Sequence, residues 1–268
     1  MAEIGHDYEL VVIGGGNMGA ALLGGLLRDG IVTAEQVAVV ELSDERRQVV
    51  AAEFPQVLVS ESIPTCRAAV LAVKPPAIAE VAAAAVACGA QRVLSIAAGI
   101  TTASLRAACG DGVDVVRSMP NTPAMVGKGV TAICTDAKTD PAVLDWAEEL
   151  LAAVGMVFRV DEEHFDAVTG LTGSGPAYVF AFAEALITAG AEAGLPEEVL
   201  EPMVTQLLSG SSALLAAQGN PAGLREAVTS PGGTTAAGLN VFSEQGLRAL
   251  VANAVAAAKT RSRELGAS

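Results

Sequence analysis

The run Leu10-Val11-Val12-Ile13 is followed at once by Gly14-x-Gly16-x-x-Gly19 and then by Ala20-Ala21-Leu22-Leu23-Gly24-Gly25-Leu26-Leu27. This succession constrains the fold tightly, because a buried strand, a sharp turn and a helix start must follow one another within a few residues. Gly14 permits the turn, Gly16 lets a pyrophosphate approach the backbone, and Gly19 lets helix and strand pack closely. Asn17 and Met18 lie between them at the helix N-terminus, where the phosphates of a dinucleotide would sit. A plain structural turn is the alternative reading. The second strand, VAVVE, arrives on schedule and weighs against it.

From Leu10 to about Val160, Val/Ile/Leu-rich runs (LVVIG, VAVVE, AAVLAV, RVLSIA, VDVVRS, VTAIC, MVFRV) alternate with Ala-rich stretches of helical period. That alternation predicts an α/β fold with a Rossmann-type, doubly wound parallel sheet. After Asp161 strand-like runs disappear, and helices are expected over Pro176–Ala193, Pro196–Ala217, Thr234–Glu244 and Gln245–Leu265. We therefore expect a dinucleotide-binding domain over residues 1–162 and an all-helical domain over 163–268. Several of these helices look apolar on more than one face. Because so short a domain cannot cover them itself, a second copy of the chain is the expected cover: a homodimer, with a larger assembly of dimers left open.

A net charge of −14 argues against nucleic acid and anionic membrane surfaces as partners. Cys66, Cys88, Cys109 and Cys134 show no metal-ligand spacing, so no metal site is expected, and they read as free thiols of a reducing compartment. The polar, acidic start lacks the features of a secretory signal, which points to the cytoplasm.

Glu41 ends the second strand about twenty residues past Gly19, where an acidic side chain can accept from the ribose hydroxyls of NADH. Ser43, Arg46 and Arg47 follow and could instead hold the 2′-phosphate of NADPH, so the two signals conflict. Ala72, Val73, Lys74, Pro75 and Pro76 close a strand at its C-terminal edge, and their backbone should line the cofactor; Lys74 also reads as a solvated strand-end residue. Asn121, in a loop fixed by Pro120 and Pro123, can donate and accept, which suits a cofactor carboxamide or a substrate.

Ser230-Pro231-Gly232-Gly233-Thr234-Thr235 repeats the physics of the first loop ahead of the helical stretch AAGLNVF. With the first cradle holding the pyrophosphate, the natural anion for this one is a substrate carboxylate. Leu171–Ala177 opens the helical domain in the same style, with Pro176 at the first helical position and the nicotinamide as its expected neighbour. His6 and His164, the two histidines, occupy no catalytic motif. Ketone reduction ordinarily calls for a proton donor such as His or Lys. A cyclic imine can be protonated before hydride arrives, and a hydroxyl such as that of Thr235 then suffices to orient its nitrogen.

Together VVIGGGNMGAALLGGL, LAVKP, SIAAGIT, VRSMPNTPAMVGKGVTAI, LTGSGPAYVFAFAEAL and VTSPGGTTAAGL resemble the pyrroline-5-carboxylate reductase family over nearly the whole chain. The resemblance implies hydride transfer from NADPH or NADH to C5 of 1-pyrroline-5-carboxylate, giving L-proline in the last step of proline biosynthesis, in a site closed by an interlocked homodimer. It also implies that Thr235 hydrogen-bonds the imine nitrogen and that the amides of Gly233 and Thr234 take the carboxylate. Ser230 belongs to the same motif and could be structural. Glu41 departs from the neutral or phosphate-binding residue of NADPH-preferring members. The β-hydroxyacid dehydrogenases share the first loop, but their lysine frame, set here on Gly170, Gly173 and Gly175, falls on Val179, and the asparagine four residues later is Ala183. A non-catalytic nucleotide sensor, the third reading, would not need the second loop.

Overall fold

The computed structural model describes residues 7–266, so the start of the chain through His6 lies outside it. Its described residues form two compact units, one of residues 7–174 with 257–266 and the other Gly175–Ala256.

The first unit is a sheet with helices on both faces. In chain order it runs β1 Tyr8–Ile13, α1 Asn17–Arg28, β2 Val37–Val40, α2 Asp44–Glu53, β3 Leu58–Ser60, β4 Cys66–Leu71, α3 Ile78–Ala87, β5 Arg92–Ser95, α4 Thr102–Cys109, β6 Asp114–Met119, β7 Gly129–Thr135, α5 Ala142–Ala152, β8 Gly155–Arg159 and α6 Phe165–Val168. The strand order is β3-β2-β1-β4-β5-β6-β7-β8. From β1 the chain winds outward to β3, then crosses to the other side of β1 at β4. The crevice where dinucleotides bind in such sheets opens at that reversal, beyond the C-terminal ends of β1 and β4.

Continuous apolar strands follow from burial on both faces. Leu10, Val12, Val37, Val39 and Val70 pack on one side with Leu22, Leu23 and Leu26 of α1 and Leu150 and Leu151 of α5. Val11, Ile13, Ala38, Val40 and Leu71 pack on the other with Ile78, Ala82 and Ala85 of α3 and Leu105 of α4. Each such Val or Leu contributes about 1.5–3 kcal/mol by leaving water. Gly25 seats α1 close against the chain after α5, since a Cβ there would meet Ala153 O at 2.7 Å.

One pair corrects the expectation of a wholly parallel sheet: β6 and β7 are antiparallel, with Met119 opposite Ala132. The connection between them holds only a 3₁₀ segment, Thr122–Val126. A parallel return needs a crossover of a dozen or more residues, so this connection can only double back.

The second unit contains α7 Gly175–Glu192, α8 Glu197–Gln218, α9 Pro221–Ala227, α10 Thr234–Glu244 and the first half of α11 Leu247–Gly266. Gly190 lets α7 and α8 touch, because a Cβ there would come within 2.5 Å of Leu200 Cδ2. Gly219-Asn220-Pro221, read from sequence as a break, also starts α9: Asn220 adopts φ 49° and its side chain accepts from Gly223 N, with Pro221 in the first turn. Neither α7 nor α10 buries a residue within the chain. No helix among the described residues is long and apolar enough to cross a membrane.

Candidate active site

The first glycine loop sits at the sheet's reversal. Gly14 N donates to Val40 O at 2.7 Å and Ala72 N to Ile13 O at 2.7 Å, drawing together the exits of β1, β2 and β4. Gly14 has φ 111°, and a Cβ on it would lie 2.5 Å from Ala72 O, so neither its conformation nor its surroundings admit a side chain. A Cβ on Gly19 would collide with Gly14 O. Gly16 differs: it caps α1 in extended backbone, and a Cβ there meets nothing within 4 Å. That open space lies over a helix N-terminus with no side-chain cap and no acidic residue in its first turn. Free amides, a favourable dipole and room for the ligand fit a pyrophosphate at Gly16, Asn17, Met18 and Gly19.

Glu41, just past β2, is tied to this loop. Its Oε2 accepts from Gly15 N at 2.9 Å and its Oε1 from Ser43 N at 2.9 Å. The Ser43 hydroxyl caps α2 by accepting from Arg46 N at 3.3 Å. Arg46 Nε donates to Gly15 O, so the two peptides flanking Gly15 are both held by side chains. Arg47 donates to the carbonyls of Glu41 and Leu42 and pairs with Asp44.

Ala72 and Val73 leave β4 half-buried at the same edge, and Lys74 and Pro75 are exposed there, Lys74 preceding the 3₁₀ turn Pro75–Ala77. The 95–101 loop leaves β5 beside them, anchored where Ser118 Oγ donates to Ser95 O at 2.8 Å. Asn121 has a structural task in the chain. It is 9% exposed, its Nδ2 donates to Thr172 O at 3.0 Å, and its Oδ1 accepts from Val130 N at 2.8 Å. Each end of its amide thus makes one bond within the chain, and Asn121 fastens the β6–β7 connection to the Leu171–Ser174 segment. That segment overlaps a π-helical turn, Thr169–Gly173, and a Cβ on Gly173 would press on Met119 Cε at 2.6 Å.

A half-buried network absent from the sequence reading joins α4, β6 and the segment before α6. Glu162 accepts from Thr102 N at 2.7 Å and Thr102 Oγ1 at 2.6 Å, and pairs with Arg117 at 2.9 Å. The Arg117 guanidinium lies 4.4 Å from the centre of the Phe165 ring. Burial alone would raise the Glu162 pKa, but hydrogen bonds from Thr102 and Arg117 outweigh it and hold the carboxyl below its ordinary range. The cysteines are free, and burial pushes Cys66 up to about 11, Cys109 to about 11 and Cys134 to about 12, which makes them inert packing groups. Among the described residues, the donors close enough together to share a metal are Asp161, Glu163 and His164, all exposed.

In the second unit, Gly232 has φ 71° and Gly233 is the N-cap of α10, with no side-chain cap and no acidic residue in the first turn. Gly233 N closes the turn by donating to Ser230 O at 3.0 Å. The expectation that this amide receives an anion is therefore corrected; the amides free for one are those of Thr234, Thr235 and Ala236. Thr234 and Thr235 are exposed. No charged residue or histidine occurs between Val228 and Thr235. Val179 and Ala183, where a β-hydroxyacid dehydrogenase would carry its lysine and asparagine, lie on α7.

Sheet reversal, uncapped α1 and the open space at Gly16 define a Rossmann-type dinucleotide-binding unit, the class of domain that NAD(P)H-dependent oxidoreductases carry. A family model described as pyrroline-5-carboxylate reductase dimerisation matches residues 162–265, and one described as NADP oxidoreductase coenzyme F420-dependent matches residues 9–99. The chain is 40% identical to the pyrroline-5-carboxylate reductase of Synechocystis sp. over 267 residues, which is 97% of this chain and 99% of the relative. It belongs to the pyrroline-5-carboxylate reductase family. Among solved structures it is similar to a pyrroline-5-carboxylate reductase from Coxiella burnetii (TM-score 0.88, 31% identity, 97% of this chain and 99% of that one). It is also similar to the Plasmodium falciparum pyrroline carboxylate reductase with NADP bound (TM-score 0.83, 28% identity, 98% and 100% covered).

Proposed function

We infer that this chain reduces 1-pyrroline-5-carboxylate to L-proline with NADPH or NADH, the last step of proline biosynthesis. The observation that carries the reading is the Ser230–Thr235 loop, which offers three uncommitted amides and the Thr235 hydroxyl in a stretch, Val228 to Thr235, that contains no charged residue or histidine. Gly14, Gly16, Asn17, Met18 and Gly19 would hold the dinucleotide and Ala72, Val73, Lys74 and Pro75 would line it; when bound it would supply the hydride for C5 of the imine.

The residues' own tasks are binding and orientation. Amides of Thr234, Thr235 and Ala236 take the substrate carboxylate at the positive end of α10. Ser230 and Gly232 shape the turn that presents them. Thr235 Oγ fixes the ring nitrogen by a hydrogen bond. A cyclic imine protonated from water before hydride arrives becomes a neutral amine, itself basic, so no side-chain acid has to deliver a proton at that moment. The absence of charged residues from this loop suits an imine better than a ketone.

The domain division proposed is a dinucleotide domain, 1–162, and a helical dimerisation and substrate domain, 163–268; the match of the dimerisation model to residues 162–265 supports it, while by compactness residues 163–174 and 257–266 pack with the first unit. Phe180, Met203, Leu207 and Leu250 of the helical part are each more than half exposed in the single chain, which supports burial against a second copy. The free cysteines and the −14 charge favour a cytoplasmic protein that engages neither nucleic acid nor membrane. The test is the fall of nicotinamide absorbance when purified protein meets 1-pyrroline-5-carboxylate. Turnover with at least one of the two cofactors is expected; none with either overturns the assignment.

A further inference from the structure

We propose that Glu41 makes this chain selective for NADH, acting as a fixed carboxylate that accepts the adenosine ribose hydroxyls and repels a 2′-phosphate. The proposal rests on the reading of Gly14–Gly19 as the pyrophosphate cradle. With the pyrophosphate on α1, the adenosine ribose lies one sugar away, beyond the C-terminal end of β2, where an acidic side chain meets the 2′-hydroxyl.

The structure adds what the sequence left open, namely which of the competing groups is oriented for this task. Glu41 is not a mobile side chain that a phosphate could push aside. One oxygen is held by Gly15 N and the other by Ser43 N, both at 2.9 Å. Each carboxylate oxygen keeps a second lone-pair direction for a ribose hydroxyl. Space for this arrangement is built into the loop, since a Cβ on Gly15 would lie 3.1 Å from Val50 Cγ2 and 3.4 Å from Glu41 Cβ.

The Glu41 carboxylate is also not engaged in a direct ion pair. Among the described residues no Lys or Arg nitrogen forms an ion pair with it. Arg47 is directed to the carbonyls of Glu41 and Leu42 and to Asp44, and so serves the start of α2. Arg46 gives its Nε to Gly15 O, which places its guanidinium on the loop backbone. Segment 41–47 carries Glu41, Asp44 and Glu45 against these two arginines, so its net charge is negative. Leu42 follows, 76% exposed, as an apolar surface of the kind an adenine ring covers.

The experiment is calorimetric titration of the full-length protein with ADP-ribose and with 2′-phospho-ADP-ribose, for wild type, Glu41→Gln and Arg46→Ala, with thermal melts confirming that each variant folds. Wild type should bind ADP-ribose at least tenfold more tightly than its 2′-phosphorylated form, Glu41→Gln should bring the two within threefold, and Arg46→Ala should leave the wild-type ratio in place. Equal or tighter binding of the phosphorylated ligand by wild type, lost in Arg46→Ala, overturns the proposal in favour of Arg46 as a phosphate ligand while leaving the cradle intact. Binding of neither ligand overturns the cradle reading and the proposal together.

Discussion

Gly16→Ala separates folding from cofactor binding. In the free protein the substitution is mild, because Gly16 has φ −65° and ψ −179° and its Cβ would meet no atom within 4 Å. Alanine caps a helix less well than glycine by about 0.5–1 kcal/mol, while loss of glycine's freedom in the unfolded chain returns about 0.4–1 kcal/mol. The two nearly cancel, and the melting temperature should move by no more than about 2 °C. Gly14→Ala is the contrast. Its φ of 111° costs an L-residue about 1–2 kcal/mol, and the approach to Ala72 O at 2.5 Å adds strain, so a loss of roughly 6 °C or more is expected. Toward the dinucleotide the order reverses. A methyl at Gly16 fills the space above the α1 amides and removes at least one charge-assisted hydrogen bond, about 1.5–3 kcal/mol, or roughly 10- to 100-fold in Kd. Thermal melts of the free variants and titration with NADH measure both quantities. Unchanged NADH affinity in Gly16→Ala, or a melting loss equal to that of Gly14→Ala, would refute the role given to this space.

Thr235→Ala should lower kcat or raise KM for the imine while the Kd for NADH stays within about twofold, and ordinary steady-state kinetics would remove Thr235 from the site. Asp136 is held down to about 2 chiefly by the Arg106 hydrogen bond. A depressed carboxyl gives its stability above its unfolded pKa, about 4, and loses it as pH falls toward 2. Asp136→Asn should therefore cost about 1 kcal/mol at neutral pH, allowing for solvent screening, with the gap to wild type narrowing below pH about 4 and closing as pH falls through about 2; a gap that does not narrow between those values contradicts the pairing. Phe180→Glu, on a helix with no buried residue, should convert a dimer into monomers in light scattering. Retention of the dimer would show that this face of α7 is not the interface.

Much of this architecture was legible because short-range rules act alone where strand, turn and helix follow one another directly. Leu10–Leu27 is such a place: period, glycine spacing and the following strand agree, and β1, α1 and β2 lie where expected. β3 was not legible, since three residues at a sheet edge carry no period of their own. The antiparallel β7 was written in the shortness of the 120–128 connection, a signal of length that residue composition does not carry. At the candidate site, residue type showed which groups could bind, not which were already engaged. Asn121 reads as a ligand-binding amide, yet it also bonds Val130 and Thr172 within the chain, and Gly233 reads as a free donor although its N–H is donated to Ser230 O. The Glu162–Arg117–Thr102 network joins residues 45 to 60 apart in the chain, and no local pattern announces such a contact.

The most direct test of the central claim follows the hydride. The protein is supplied with 1-pyrroline-5-carboxylate and NADH carrying deuterium at the transferred position of C4, and the product is examined by mass spectrometry and NMR. The account predicts L-proline with one deuterium, located at C5. Proline without deuterium, or consumption of NADH without proline, would contradict it.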